Sequence, residues 1–204
     1  MIDWETLYQK DAWDEVLKTL PELSHMVASP QNPKYHYADV WTHTKDVLRH
    51  LGEAGFAANP IVMASGLLHD AGKGLPGVRG INKEGFPSDI GHEKVSAAMV
   101  PDLLPKIAPE LTAHEIYAVT WLVARHMKLI FPLPDGERKA VAFATAAYDE
   151  LTPKGLDASA MLTWLLALYR ADMLSTVFGR DPQSVIDVNR RVEALGAIFS
   201  RALS

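Results

Sequence analysis

The chain contains no cysteine, which excludes disulfides and every zinc site built on thiolates. It also lacks an apolar run of membrane-spanning length. The most apolar stretch, Ala158 to Tyr169, is shorter than the ~20 residues a bilayer needs and ends at Arg170 and Asp172. No membrane segment is expected. The N-terminus, Met1-Ile2-Asp3-Trp4-Glu5, is acidic and has no signal-peptide core, so a cytoplasmic location is expected. Excess positive charge is missing too. Twenty Lys and Arg stand against 25 Asp and Glu, a formal net charge of −5. Duplex DNA binding, which rests on many Lys and Arg contacts to phosphates, is therefore not expected. A small phosphorylated ligand or the end of an RNA needs only local positive charge and stays open. There is no repeat and no low-complexity tract, and nothing reads convincingly as a strand.

What is present is a chain of 204 residues that is 48% hydrophobic, enough for one substantial core. A single domain over 1–204 is expected, with a short helical extension over 1–20 in which Asp11 could cap a second helical piece. Pro21 opens a loop to about Tyr37. Asp39 caps a helix over roughly 40–54 that Gly52 and Gly55 close. Asn59-Pro60 starts a helix ending near Gly72. Six glycines, at 72, 74, 77, 80, 85 and 91, with prolines at 76 and 87, predict a long loop with little regular structure. Loops of that length inside compact domains are uncommon and often functional. A short helix starts near Gly91, and Pro101, Pro105 and Pro109 punctuate the next stretch. Thr112 with Glu115 forms a capping box for a helix over about 113–128. Phe131 to Gly136 is a break. Helices follow over about 137–150, 158–174 and from about Pro182 to Ala202. The class is all-α.

The functional signal centres on Gly66-Leu67-Leu68-His69-Asp70-Ala71-Gly72-Lys73. His69 and Asp70 lie about 100° apart on the helix, so both side chains reach one ion at the helix end. An isolated pair has a plainer explanation, a histidine favoured by the helix dipole beside a solvated aspartate. Three further ionisable residues change that reading. His43 falls on the stripe Val40, Val47, Leu51; His126 continues Ile116, Val119, Val123; Asp172 continues Leu162, Leu165, Tyr169. Each therefore lies on a face that should be buried. A buried, unpaired carboxylate costs several kcal/mol or more, and a shared divalent metal removes that cost. Imidazoles and carboxylates suit Mn, Fe, Co, Ni and Zn.

His43, His69-Asp70 and Asp172 resemble the H…HD…D signature of HD-domain metal-dependent phosphohydrolases, in which those four positions bind the ion. The likeness extends further. Pro21-Glu22-Leu23, Pro30-Gln31, Lys34-Tyr35-His36, Asp39-Val40-Trp41-Thr42-His43-Thr44, Leu68 to Gly74, Gly91-His92-Glu93 and Leu122-Val123-Ala124-Arg125-His126 are similar to the HD domain of bacterial CCA-adding tRNA nucleotidyltransferases. This covers roughly residues 20–190. Only about twenty residues precede Pro21, without a Gly-Ser motif and paired acidic residues, so nucleotide addition is not expected.

The resemblance implies an HD-type helical bundle and a phosphodiesterase or phosphatase acting on nucleotides or RNA ends, through 2′,3′-cyclic phosphates, 2′-nucleotides or terminal phosphates. Asp70 and Lys73 are the catalytic candidates, with Lys73 attracting phosphate. The metal candidates are His43, His69, Asp70 and Asp172, binding Mn, Ni, Co, Mg or Fe. His92 and His126 are similar to histidines that hold a second metal in some HD proteins, or they hydrogen-bond phosphate. Arg125 is either a phosphate contact or one end of a surface salt bridge. His25, His50 and His114 are read as ordinary, and His36 receives no role. Competing readings are an HD-type di-iron oxygenase, a 5′-nucleotidase-type phosphatase and a non-catalytic nucleotide-binding module.

Overall fold

The computed structural model describes residues 2–129 and 136–204. The fold is all-α. The break expected over Phe131–Gly136 lies outside the described residues except for Gly136. The N-terminal segment forms α1 (Trp4–Lys10) and α2 (Val16–Thr19), whose Trp4, Trp13, Val16 and Leu20 are buried in the core. Asp11 caps no second helix. It closes α1 in a left-handed conformation, φ 49°, with its N–H on the Leu7 and Tyr8 carbonyls. A 3-10 turn, Pro21–Met26, leads into the irregular entry segment.

Five elements then surround the site. The first, α3 (Val40–Leu51), is capped by the Asp39 carboxylate on the Thr42 N–H and buries Val40, Trp41, His43, Val47, Leu48 and Leu51. Gly55 turns the chain at φ 89°. Next, α4 (Pro60–Leu68) begins at Asn59, which accepts from Ile61 and Val62, and is buried over most of its length. It ends earlier than the expected Gly72, because Ala71 N–H bonds the Leu68 carbonyl and Lys73 N–H bonds the Asp70 carbonyl, tightening the chain into turns. The third, α5 (His92–Ile107), runs straight through Pro101 and Pro105. The two prolines do not punctuate it, since burial of Ala97, Val100, Leu103, Leu104 and Ile107 outweighs two missing donors. Then α6 (Ala113–Arg125) carries the reciprocal Thr112–Glu115 capping box and passes into a 3-10 turn at His126–Leu129. After α7 (Gly136–Leu151) comes α8 (Ala158–Leu174), capped by Asp157. The last helix, α9 (Pro182–Leu203), packs on α7 and α8.

The glycine-rich segment is more ordered than its composition suggests. Strands β1 (Gly80–Ile81) and β2 (Pro87–Ser88) pair antiparallel, Gly80 opposite Ser88 and Ile81 opposite Pro87. Between them, Asn82 Oδ1 accepts from Glu84 and Phe86. No helix among the described residues is long and apolar enough to cross a membrane.

Gly72 fixes how closely the turn after α4 meets α5. Its N–H donates to Ser96 Oγ at 2.8 Å, and a Cβ there would lie 2.8 Å from the His92 carbonyl and 2.9 Å from the Ser96 nitrogen. Both obstacles are backbone, so Gly72→Ala should destabilise the protein by ~1–3 kcal/mol, the range for overpacking. The measurement is the midpoint of urea unfolding; an unchanged midpoint would show that the turn yields freely.

Candidate metal centre

The helix ends and faces bring His43 (α3), His69 and Asp70 (end of α4), His92 (first residue of α5), His126 (after α6) and Asp172 (α8) into one buried cluster. The hydrogen bonds of the imidazoles decide what the cluster offers. His69 Nδ1 lies 2.8 Å from the Gly66 carbonyl, His92 Nδ1 2.8 Å from that of Asp89, and His126 Nδ1 2.7 Å from that of Val123. Each bond reaches back three residues. His43 Nδ1 instead lies 3.1 Å from the Ser175 carbonyl, across the fold after α8. A carbonyl only accepts, so all four Nδ1 atoms carry a proton, and in the neutral imidazole each Nε2 then presents a bare lone pair.

Those lone pairs face one another. His43 and His69 Nε2 are 3.4 Å apart; His92 and His126 Nε2 are 3.2 Å apart. Asp70 sits between the pairs. Its Oδ2 is 3.3 Å from His69 Nε2 and 3.6 Å from His43 Nε2, while its Oδ1 is 3.0 Å from His92 Nε2 and 3.8 Å from His126 Nε2. Acceptor thus faces acceptor, and both Asp70 oxygens are buried without a well-formed hydrogen bond. A cation between them satisfies every one of these atoms. Two ligand groups emerge, His43–His69–Asp70 and Asp70–His92–His126, joined by the two oxygens of one carboxylate. Asp172 Oδ1 lies 3.1 Å from His43 Nε2, on the His43–His69 side.

Electrostatics keep Asp70, Asp172 and His126 in their binding forms. Burial alone would raise the Asp70 carboxyl, but His69 and Lys73 hold it well below the usual carboxylate range. Burial likewise opposes ionisation of Asp172, and contact with His43 outweighs it, so Asp172 is lowered. Burial and repulsion from His69 push His126 down to about 3, leaving it a neutral acceptor. His69 goes the other way: burial lowers it, and attraction to Asp70 more than compensates, for a net rise. A nitrogen–oxygen donor set without sulfur suits Mn, Fe, Co, Ni and Zn, and each imidazole already donates its other N–H to a carbonyl, as metal-binding histidines do.

Beside the cluster lies a cavity of about 470 Å³, lined among others by Gln31, Tyr35, His36, Lys73, His92 and Lys128. Lys73 Nζ contacts Asp70 Oδ2 at 2.7 Å and donates to Gln31 Oε1 at 2.9 Å. The structure does not bring Arg125 to this place. Its guanidinium pairs with Glu150 at 2.6 Å and lies over Trp121, which is the salt-bridge alternative. His36, given no role from sequence, packs edge-on against His43 with centroids 4.8 Å apart. Its Nδ1 is buried without a partner, and burial and Lys73 push it down to about 3. His25, read as ordinary, braces the site from outside: its ring nitrogens lie 2.7 Å from the Glu22 carbonyl and 3.0 Å from that of Ala71. Gln31 and His36 sit in the irregular entry segment, where no periodicity marks them; only the Pro30-Gln31 and Lys34-Tyr35-His36 motifs did.

As a ligand, His69 would be contested by metal and proton. Because its pKa is raised, the proton is held at higher pH than on a free histidine, and an ion must displace it. Affinity for Mn or Ni should therefore fall by about tenfold per pH unit below the His69 range, with proton release on binding. Calorimetry in buffers of differing ionisation enthalpy checks this; a pH-independent affinity would remove His69 from the ligand set.

Comparison with known proteins agrees with this geometry. The family model described as HD domain matches residues 35–176. The chain is also 31% identical over 124 residues to the "Multifunctional CCA protein" of Methylobacillus flagellatus, a match covering 60% of this chain and 27% of that protein. The chain thus spans well under two thirds of that relative's length. The chain belongs to the HD domain family, a membership that implies a metal-dependent phosphohydrolase, and its HD domain resembles that of CCA proteins.

Proposed function

We propose that this protein hydrolyses a 2′,3′-cyclic phosphate, or removes a 2′-phosphate, on a nucleotide or an RNA end, and that residues 1–204 form a single domain for this purpose. The observation that carries the reading is the set of bare Nε2 atoms and carboxylate oxygens opening beside a cavity that holds Lys73. His43, His69, Asp70 and Asp172 would hold one divalent ion; Asp70, His92 and His126 would hold a second. When bound, such ions act as Lewis acids that activate water and offset charge developing on phosphorus.

The protein's own groups do the rest. Asp70 gives one oxygen to each half of the cluster and so sets their separation. Lys73, fixed by Gln31 and largely buried, supplies a cation at the edge of the cavity where a phosphate oxygen arrives. His36 offers an unpartnered ring nitrogen beside it. At the rim, Tyr35 is 51% and Ile90 89% exposed, and both line the cavity, giving a base a surface to rest on. The volume is within the range of small-ligand sites and suits one nucleotide or a single terminal residue. The match to the "Multifunctional CCA protein" supports RNA ends or nucleotides as the substrate class.

The paired ligand groups equally suit two irons, which is the observation behind a second reading, an HD-type oxygenase. Lys73 on the cavity favours phosphate. Two measurements separate the readings. Purified protein with Mn, Ni, Co or Mg should cleave 2′,3′-cyclic AMP or 2′-AMP faster than 5′-AMP, and Lys73→Ala should lower kcat/KM by about 10- to 100-fold, mainly through KM, as expected for losing a charge-assisted hydrogen bond of roughly 1.5–3 kcal/mol. A tenfold preference for 5′-AMP would reassign the substrate. Oxygen consumption with bound iron and no phosphate release would replace the reaction class.

A further inference from the structure

Asp89 ties together the two arms of the site. Its carboxylate takes Arg79 in a two-pronged ion pair, Nε to Oδ1 at 2.7 Å and Nη2 to Oδ2 at 2.9 Å. The same Oδ1 accepts the Gly74 N–H at 3.0 Å, immediately after Lys73. Its backbone carbonyl accepts His92 Nδ1–H at 2.8 Å. Arg79 Nη2 continues to Ser29 Oγ at 3.2 Å, on the entry segment two residues before Gln31. One residue therefore fixes the residue after the proposed phosphate lysine by its side chain and the tautomer and tilt of His92 by its main chain. Gly74 shows how closely the parts fit: φ is +80°, and a Cβ would lie 2.6 Å from Ser29 Oγ.

We propose that Asp89, clamped by Arg79, is a positioning residue for the Asp70–His92–His126 half of the centre. The clamp holds the Asp89 carbonyl against His92 Nδ1, which keeps His92 Nε2 bare and aimed at Asp70 Oδ1, 3.0 Å away. The imidazoles of the other half are oriented without this clamp: His43 by the Ser175 carbonyl and His69 by that of Gly66. Breaking the ion pair therefore weakens one metal position and spares the other. The inference rests on the two-ion reading above.

The test uses the full chain and Arg79→Gln, Asp89→Asn and Arg79→Lys, with circular dichroism to show that each folds. Mn or Co is titrated calorimetrically. Wild type should bind two ions. Arg79→Gln and Asp89→Asn should weaken the second binding event by about 10- to 100-fold, the usual cost of losing a group that orients a ligand, and leave the first unchanged; Arg79→Lys should restore part of the loss. Equal weakening of both events, or of neither, overturns the proposal. If wild type binds a single ion, the two-ion reading fails, and ¹⁵N-detected imidazole tautomers judge the clamp on their own. His92 should be the Nδ1–H form in wild type and a mixture in the two charge-removing variants. An unchanged His92 tautomer then overturns it.

Discussion

Everything in the site depends on the direction of four N–H bonds. Each imidazole donates Nδ1–H to a main-chain carbonyl, so each neutral ring turns a bare Nε2 toward the Asp70 carboxylate. Burying an unsatisfied acceptor costs roughly 1–3 kcal/mol, and more when it is charged. Four such nitrogens gathered round the buried Asp70 carboxylate, which has Lys73 on one oxygen, are thus a standing cost to the fold. That cost makes sense as the signature of a cation site, in which the same atoms become ligands.

The scaffold supplies the carbonyls cheaply. His69 and His126 stand just past the last turns of α4 and α6, where main-chain carbonyls are no longer all taken by the helix. His92 stands at the start of α5 and uses the carbonyl of the turn before it. The bond therefore runs back three residues in all three cases. A histidine at a helix boundary can be oriented by its own chain, without a second element. His43, in the first turn of α3, has behind it the Val40 carbonyl, which already accepts from Thr44 Oγ1, and relies on Ser175, which follows α8. The packing of α3 against α8 is for that reason part of the site and not only of the core.

This difference explains what could be read from the sequence. The positions of His43, His126 and Asp172 on apolar stripes, and the adjacent His69-Asp70, were legible because helical periodicity projects them inward. The caps at Asp39 and Thr112 and the helix start at Asn59-Pro60 were legible because capping is local chemistry. Other features depend on distant parts of the chain. The Asp89–Arg79 clamp, the Gln31–Lys73 bond and the packing of His36 on His43 lie in segments without periodicity. Composition suggested a shapeless loop where a short β-ladder and a half-buried ion pair form. It also suggested interruptions at Pro101 and Pro105, where tertiary burial of α5 prevails over the lost donors.

These lone pairs are proposed to surround metal positions. Crystals of the protein grown with Mn and measured at the Mn absorption edge test it most directly. The expected result is one anomalous peak about 2.0–2.3 Å from the His43 and His69 Nε2 atoms and an Asp70 oxygen, and a second near His92, His126 and the other Asp70 oxygen. Peaks confined to the protein surface, with the four Nε2 atoms still facing one another across the same gaps, would contradict it.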